Sequence, residues 1–302
     1  MRVAFILNPA ARNGRASTLE DALLAAGAPH TAQVFRTAGP RHAQALARQA
    51  VGSVDRVVAV GGDGTVGEVA AGLAGTGVPM GIVPAGTGND LAHALGLPVA
   101  LEEAVAVAVG AEARPMDLLR ARWTDTSGAT DERVVANALG LGFDAAVAAA
   151  VPRYKRLGGI AAYLGAVFAT LRDWRRPDRS ACVTLDGVEV YDGPLFLLCV
   201  GNGSRVGGGF ALTPGASAGD GLADTCLVRH ISTARALRVL PSAMRGRHTG
   251  EPEVSMGTAR RVHIQASGRP LPMHGDGEGL ASAVAVADLE ILPAAVAVAR
   301  SL

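Results

Sequence analysis

The sequence predicts an α/β domain followed by a β domain: an N-terminal doubly wound parallel α/β layer, then a C-terminal β-sandwich-like unit. Three observations carry this reading. Strand-like and helix-like patterns alternate up to residue 125. Between 126 and 293 short strand patterns dominate, with one helix among them. Within the first part, a buried-strand pattern, a glycine-rich turn and a helical pattern follow one another directly over 57–73. That unit builds parallel sheets whose ligands sit beyond the carboxyl ends of the strands.

The elements follow in order. Arg2–Leu7 is an apolar strand, too short an apolar run for a signal peptide. Then come a helical 16–26, strand-like Thr31–Arg36, a helical 40–51, strand 56–60, helix 66–73, strand 78–83, and helices near 89–94 and 101–108. The polar stretch 124–131, with Gly128, reads as a hairpin turn near the change of domain. Beyond it 134–138, 180–185, 188–191, 195–201, 221–228, 261–265 and 283–292 have strand character, and Asp186-Gly187 is a two-residue hairpin signal. A helix over about 157–174 has an apolar body flanked by Lys155, Arg156, Arg172, Arg175 and Arg176. It either covers an open face of the β domain or docks on an anionic membrane surface. The tail 294–302 reads as a short helix.

The turn itself carries chemistry. Val57-Val58-Ala59-Val60 runs into Gly61-Gly62-Asp63-Gly64-Thr65-Val66-Gly67. Glycine is expected here for positive φ and for close approach of backbone to a ligand. The amides opening the next helix then form an anion site. Asp63 within that cradle would repel a bare phosphate, which points to a cation, magnesium carried by a nucleotide. Gly62, Gly64 and Gly67 satisfy the dinucleotide fingerprint, but the next strand runs into Pro84-Ala85-Gly86 without the acid that would hold a ribose. A P-loop needs G-K-[ST], and Lys155 is the only lysine in the chain.

The motif that fits is G-G-D-G-T, at 61–65, followed by Pro84-Ala85-Gly86-Thr87-Gly88-Asn89-Asp90. Together they resemble the diacylglycerol kinase-like lipid kinases, including the bacterial soluble enzymes of diacylglycerol and sphingosine kinase type. Further matches extend the resemblance over nearly the whole chain: Asn8-Pro9, the stretch 137–144, Gly207-Gly208-Gly209-Phe210, the stretch 214–222 and Asp276-Gly277-Glu278. It implies an ATP-dependent kinase that phosphorylates a lipid hydroxyl such as that of diacylglycerol, with Mg2+. In that family the tail returns to the first domain, giving a nucleotide domain over 1–125 and a lipid domain over 126–293. An NAD kinase-like phosphotransferase shares G-G-D-G-T, but the segments 84–90, 207–210 and 276–278 disfavour it. A nucleotide-binding regulatory protein without turnover is the rival of another class, and intact Asp276 and Glu278 argue against it.

Phosphoryl transfer needs a phosphate cradle, a divalent ion, a base and a water-poor site. The backbone of Gly61, Gly62, Gly64 and Gly67, with Asp63, Thr65, Val66 and Thr87, supplies the cradle. Asn8, Pro9, Ala10, Ala11 and Arg12 line the nucleotide from the end of the first strand, and the resemblance adds Thr37. It also joins Asp63, Asp90, Asp117, Asp276 and Glu278 in a water-bridged magnesium network, with Asp63 taking part in catalysis. Alone, Asp90 reads equally as a helix cap. Gly275 and Gly277 alternate with Asp276 and Glu278, so both carboxylates can point into one small volume, and crowding of like charges would raise a pKa into the range of a base. The resemblance makes Glu278 the proton acceptor and Asp276 its support. Ser217, Asp220 and the Leu222 carbonyl resemble a second, non-catalytic magnesium loop; a plain hairpin tip at Asp220-Gly221 is the other reading.

The chain departs from the family pattern in two places. Ala10-Ala11-Arg12 replaces a small Ser-Gly, and Gly67 stands where asparagine is common. A formal net charge of +1 gives no footprint for nucleic acid. Cys182, Cys199 and Cys226 show no metal-ligand spacing and read as reduced core thiols of a cytoplasmic protein that visits the membrane peripherally. The expected partner is a lipid alcohol, and a homodimer is compatible with the sequence.

Overall fold

The computed structural model describes residues 1–10, 16–27, 30–157 and 159–301. Strands β1 (Arg2–Leu7), β2 (Thr31–Arg36), β3 (Arg56–Gly61) and β4 (Met80–Pro84) pair in parallel in the order β4-β3-β1-β2. The period of two along a strand sends alternate residues to opposite faces. Ala4, Ile6, Val57, Ala59 and Ile82 cluster with helices α2 (His42–Ala50) and α3 (Asp63–Leu73). Val3, Phe5, Leu7, Val58, Val60 and Val83 cluster with α1 (Ala16–Gly27) and, further along, α5 (Leu101–Gly110). Burial on both faces explains why these strands read as unbroken apolar runs. The short α4 (Asp90–Ala94) follows β4.

The remaining strands are β5 (Ala113–Asp125), β6 (Thr130–Val135), β7 (Ala138–Gly142), β8 (Arg179–Leu185), β9 (Val188–Gly201), β10 (Ala223–Arg229), β11 (Val254–Ala259), β12 (Arg261–Gly268), β13 (Leu271–Gly275) and β14 (Glu278–Ala299). Pairings run from β7 to β9, β8, β12, β14, β13 and back to β7. A closed circuit of this kind leaves its members no open edge. Helix α6 (Phe143–Ala150) leads to α7 (Gly159–Asp173), which buries Ala162, Ala166, Val167 and Leu171 on the core of this half. That covering role matches the first of the two readings of the 157–174 helix; Leu157 and Phe168 stay exposed beside it.

Three expectations need correction. The tail is not a helix: 294–299 continues β14, pairing antiparallel with β5 (Ala299 with Ala113) and parallel with β4 at Val298 and Met80. Two strand edges that need a partner override the helix propensity of an alanine-rich segment. The glycines of the 61–67 turn do not have positive φ; Gly62 sits at φ −92°. They are needed for close approach alone. Finally α6 and α8 (Thr233–Ala243) occupy stretches where the sequence pattern gives no helix, α8 holding Pro241 in its interior. Cys199 and Cys226 are buried free thiols facing one another across β9 and β10.

Candidate active site

In-register parallel pairing brings four strand ends to one edge: Leu7 lies beside Arg36 and Val60, and Gly61 beside Pro84. The residues just beyond therefore meet. Asn8 donates from Nδ2 to Thr65 Oγ1 at 3.1 Å and accepts the Ala10 amide at 2.9 Å. The Thr37 amide donates to the Leu7 carbonyl at 2.9 Å. Gly62 and Gly86 touch through their backbones: a Cβ built on Gly86 would lie 2.4 Å from Gly62 Cα. The two glycine-rich motifs are thus one surface: Gly86 has no room for a side chain where they cross, and a Cβ on Gly62 would lie a tight 3.1 Å from Gly86 Cα. Ala11 and Arg12 lie outside the described residues.

Asp63 opens α3 and accepts the Leu91 amide at 3.2 Å. Burial, then the neighbouring Asp90 carboxylate, raise its pKa. Asp90 is buried, and burial raises it too; Oδ2 accepts the Gly208 amide at 2.8 Å, while Oδ1 has no partner among the described residues. Asp276, at φ 50° in its turn, accepts the amides of Ala136, Asn137 and Ala138 at 2.8, 2.8 and 3.2 Å. Burial pushes it up to about 6 despite those bonds.

Asp276 and Glu278 both press on α3, one turn apart. A Cβ on Gly67 would meet Asp276 Oδ2 at 2.3 Å, and one on Gly64 would meet Glu278 Oε1 at 2.5 Å. Gly67 therefore makes room for Asp276. Glu278 is an exposed residue, yet partial burial of its carboxylate and then the Glu68 carboxylate raise its pKa, with Arg133 opposing. Mutual repulsion between Asp276 and Glu278 is not the cause in either case; burial leads, and Asp63 and Glu68 are the repelling neighbours.

Asp63, Thr87, Gly88, Asp90, Asn137 and Asp276 line one cleft. It shares Tyr163, Val206, Phe210 and His274 with an apolar cavity walled by α6, α7, α8 and the sheet, including Phe143, Val167, Phe196 and Leu240. Tyr163 packs on Phe210 with ring centroids 4.9 Å apart, at the junction of the two spaces.

Residues 2–121 match the diacylglycerol kinase catalytic domain family, and 137–300 match the YegS C-terminal NAD kinase beta sandwich-like domain. A diacylglycerol kinase of Mycobacterium tuberculosis is 34% identical over 257 residues, 84% of this chain and 80% of that protein. The chain belongs to the diacylglycerol kinase-like lipid kinase family. The crystal structure of a diacylglycerol kinase from Bacillus anthracis has a similar fold, with TM-score 0.75 and 25% identity over 99% of this chain and 97% of that one. An NAD kinase from Archaeoglobus fulgidus, crystallised with ATP, shares the fold more distantly: TM-score 0.52, 16% identity, 99% and 94% covered.

Other residues singled out by the family pattern gather elsewhere. Asp117 is buried and accepts the Gly221 and Ala294 amides, each at 2.7 Å, while its own amide donates to the Ala218 carbonyl at 2.9 Å. Both its oxygens tie the 217–222 loop and the β14 bulge to β5, so Asp117 stands with Ser217, Asp220 and Leu222 and does not line the cleft. Within the loop, Asp220 accepts the Leu222 amide at 3.0 Å. Among the described residues no group of three or more His, Cys, Asp or Glu has metal-holding geometry. Sequence reasoning missed Gly208 as the anchor of Asp90 and Asn137 as the residue pinned by Asp276. Their motifs were visible, but only the folded chain brings Gly208 to Asp90 and Asn137 to Asp276.

Proposed function

We propose that this family member transfers the γ-phosphate of ATP to the hydroxyl of a lipid alcohol such as diacylglycerol, with Mg2+. The observation that carries this reading is the direct opening of an apolar cavity into a cleft lined by Asp63, Asp90 and Asp276 beside the two crossing glycine motifs. A lipid body suits the first space and a nucleotide phosphate the second. The donor set fits magnesium: Asp90 Oδ1 is buried without a partner beside a second carboxylate whose charged form is disfavoured. Two carboxylates with phosphate oxygens and water are the usual holding for this ion. When bound there, it supplies positive charge against the phosphates.

The cradle amides of 62–65 and Thr65, with Asn8 and Thr37 at the neighbouring strand ends, hold the nucleotide. Tyr163 and Phe210 shield the junction from water. Glu278 is the proton acceptor: it accepts no hydrogen bond among the described residues and lines not the cleft itself but an adjoining groove that shares Asp276 with it, whereas Asp276 spends both oxygens on three amides and holds the turn. The lipid oxygen bonds to the γ-phosphorus, the bond to the bridging oxygen breaks, ADP departs with that electron pair, and the hydroxyl proton passes to Glu278. We place the division of labour at 1–125 for nucleotide and 126–293 for lipid, with β14 returning to the first sheet. No helix among the described residues is long and apolar enough to cross a membrane, and we assign a cytoplasmic protein that meets its lipid at the surface.

The test is incubation of the purified protein with labelled ATP, magnesium and a panel of lipid alcohols. Glu278→Gln should bind ATP like the parent and turn over about 10²–10⁴-fold more slowly. Normal phosphorylation by that variant would remove Glu278 as the base.

A further inference from the structure

Phosphoryl transfer builds negative charge where this cleft already holds Asp63, Asp90 and Asp276, and no arginine or lysine is among the described residues lining it. A loop of the C-terminal half reaches into that gap. Gly207, Gly208 and Gly209 have φ of 63°, 79° and 124°, backbone that glycine alone adopts freely. Val206 and Phe210 close the loop with paired backbone bonds of 2.8 and 2.9 Å. The result aims successive amides outward: those of Gly208 and Gly209 hold the Asp90 carboxylate, Gly208 at 2.8 Å. Consecutive amides so arranged are an anion-binding concavity. It faces the phosphate motif, since a Cβ on Gly88 would lie 3.1 Å from Asp63 Oδ2 and 3.4 Å from Gly208 Cα.

Arg205 leads into this loop. Its carbonyl accepts Asn137 Nδ2 at 2.8 Å, and the Asn137 amide is bound to Asp276, so its main chain is fixed to the cleft. Its side chain is exposed and makes no hydrogen bond or ion pair among the described residues. Its charge is nonetheless felt at Asp90. Arg205 stands three residues before Gly208 in the chain, and an unengaged guanidinium has the donors that a planar group of phosphoryl oxygens requires.

We propose that Arg205 and the amides of Gly208 and Gly209 form a clamp, delivered by the C-terminal half, on the phosphoryl group in transfer. This rests on the kinase reading above. The clamp donates to the equatorial oxygens while the bond from the lipid oxygen forms and the bond to ADP breaks. In the ligand-free chain the Gly208 amide already donates to the Asp90 carboxylate, so this loop presents its N–H groups to an anion.

Calorimetry with ADP and magnesium, with and without aluminium fluoride as the phosphoryl mimic, tests the clamp without any lipid. The parent should bind the fluoride complex at least about 10²-fold tighter than ADP, as transition-state mimics do. Arg205→Ala should lose about 10²-fold of that preference while keeping its ADP affinity, Arg205→Lys should lose less, and guanidinium ion in solution should restore part of the loss. Unchanged ADP affinity also certifies the fold of each variant. An Arg205→Ala protein with the parent's fluoride preference, or a parent with none, overturns the proposal. A parent that shows the preference but phosphorylates no alcohol supports the clamp and overturns the kinase reading instead.

Discussion

Gly67→Ala is the sharpest probe of how the two halves are joined. The new methyl would arrive 2.3 Å from Asp276 Oδ2, well inside contact distance. That oxygen cannot swing away cheaply, because the carboxylate accepts the three backbone amides that lead from β6 into β7. Overpacking costs about 1–3 kcal/mol, and one orphaned amide adds about 1–3 kcal/mol. Replacing a helical glycine by alanine returns about 1 kcal/mol. The net expectation is a loss of roughly 1–5 kcal/mol. Gly64→Ala is the control, one turn earlier on the same helix. Its methyl meets only the Glu278 side chain, Oε1 at 2.5 Å, the far end of a flexible side chain on an exposed residue. That protein should be as stable as the parent or up to about 1 kcal/mol more stable, yet slower in turnover because Glu278 is displaced. Urea unfolding followed by circular dichroism separates the two variants. Equal stabilities would refute the account of Gly67, and full turnover by Gly64→Ala would refute the position given to Glu278.

Three further outcomes follow from the same geometry. Asp117→Ala strands the Gly221 and Ala294 amides and should cost about 2–5 kcal/mol of unfolding free energy whether or not magnesium is present; recovery on adding magnesium would make Asp117 a metal ligand after all. Burial raises Asp276 to about 6, so its contribution to stability is complete below the ordinary carboxylate range and lost as pH rises through about 6; unfolding curves should show the parent losing ground to Asp276→Asn across about pH 4–6, and parallel curves would contradict this. Arg172, Arg175 and Arg176 changed together to Glu should weaken sedimentation with anionic vesicles and leave ATP binding intact, whereas equal sedimentation would leave α7 as a cover for the core alone.

The local units of this fold are legible in the amino-acid order alone. Apolar runs such as 57–60 read as doubly buried strands and the turn of four glycines with one carboxylate as a nucleotide-type loop before any coordinates, although the positive φ also expected of those glycines is absent. Family motifs then located the acids. What the tertiary structure decided was which of them meet. Asp63, Asp90 and Asp276 share a cleft because four parallel strands end in register and β13 turns back over α3. Asp117, equally acidic and equally close to an apolar run, is spent on holding β14. The tail shows the same limit: its alanines favour a helix locally, yet β4 and β5 offer it unpaired backbone, and satisfying those groups outweighs propensity. Gly67, where the family pattern has asparagine, leaves the space that Asp276 occupies. Periodicity and turn chemistry act within a few residues and are written in the sequence; burial, charge repulsion and steric exclusion act between residues as far apart as Gly67 and Asp276, and only the packed chain brings those into contact.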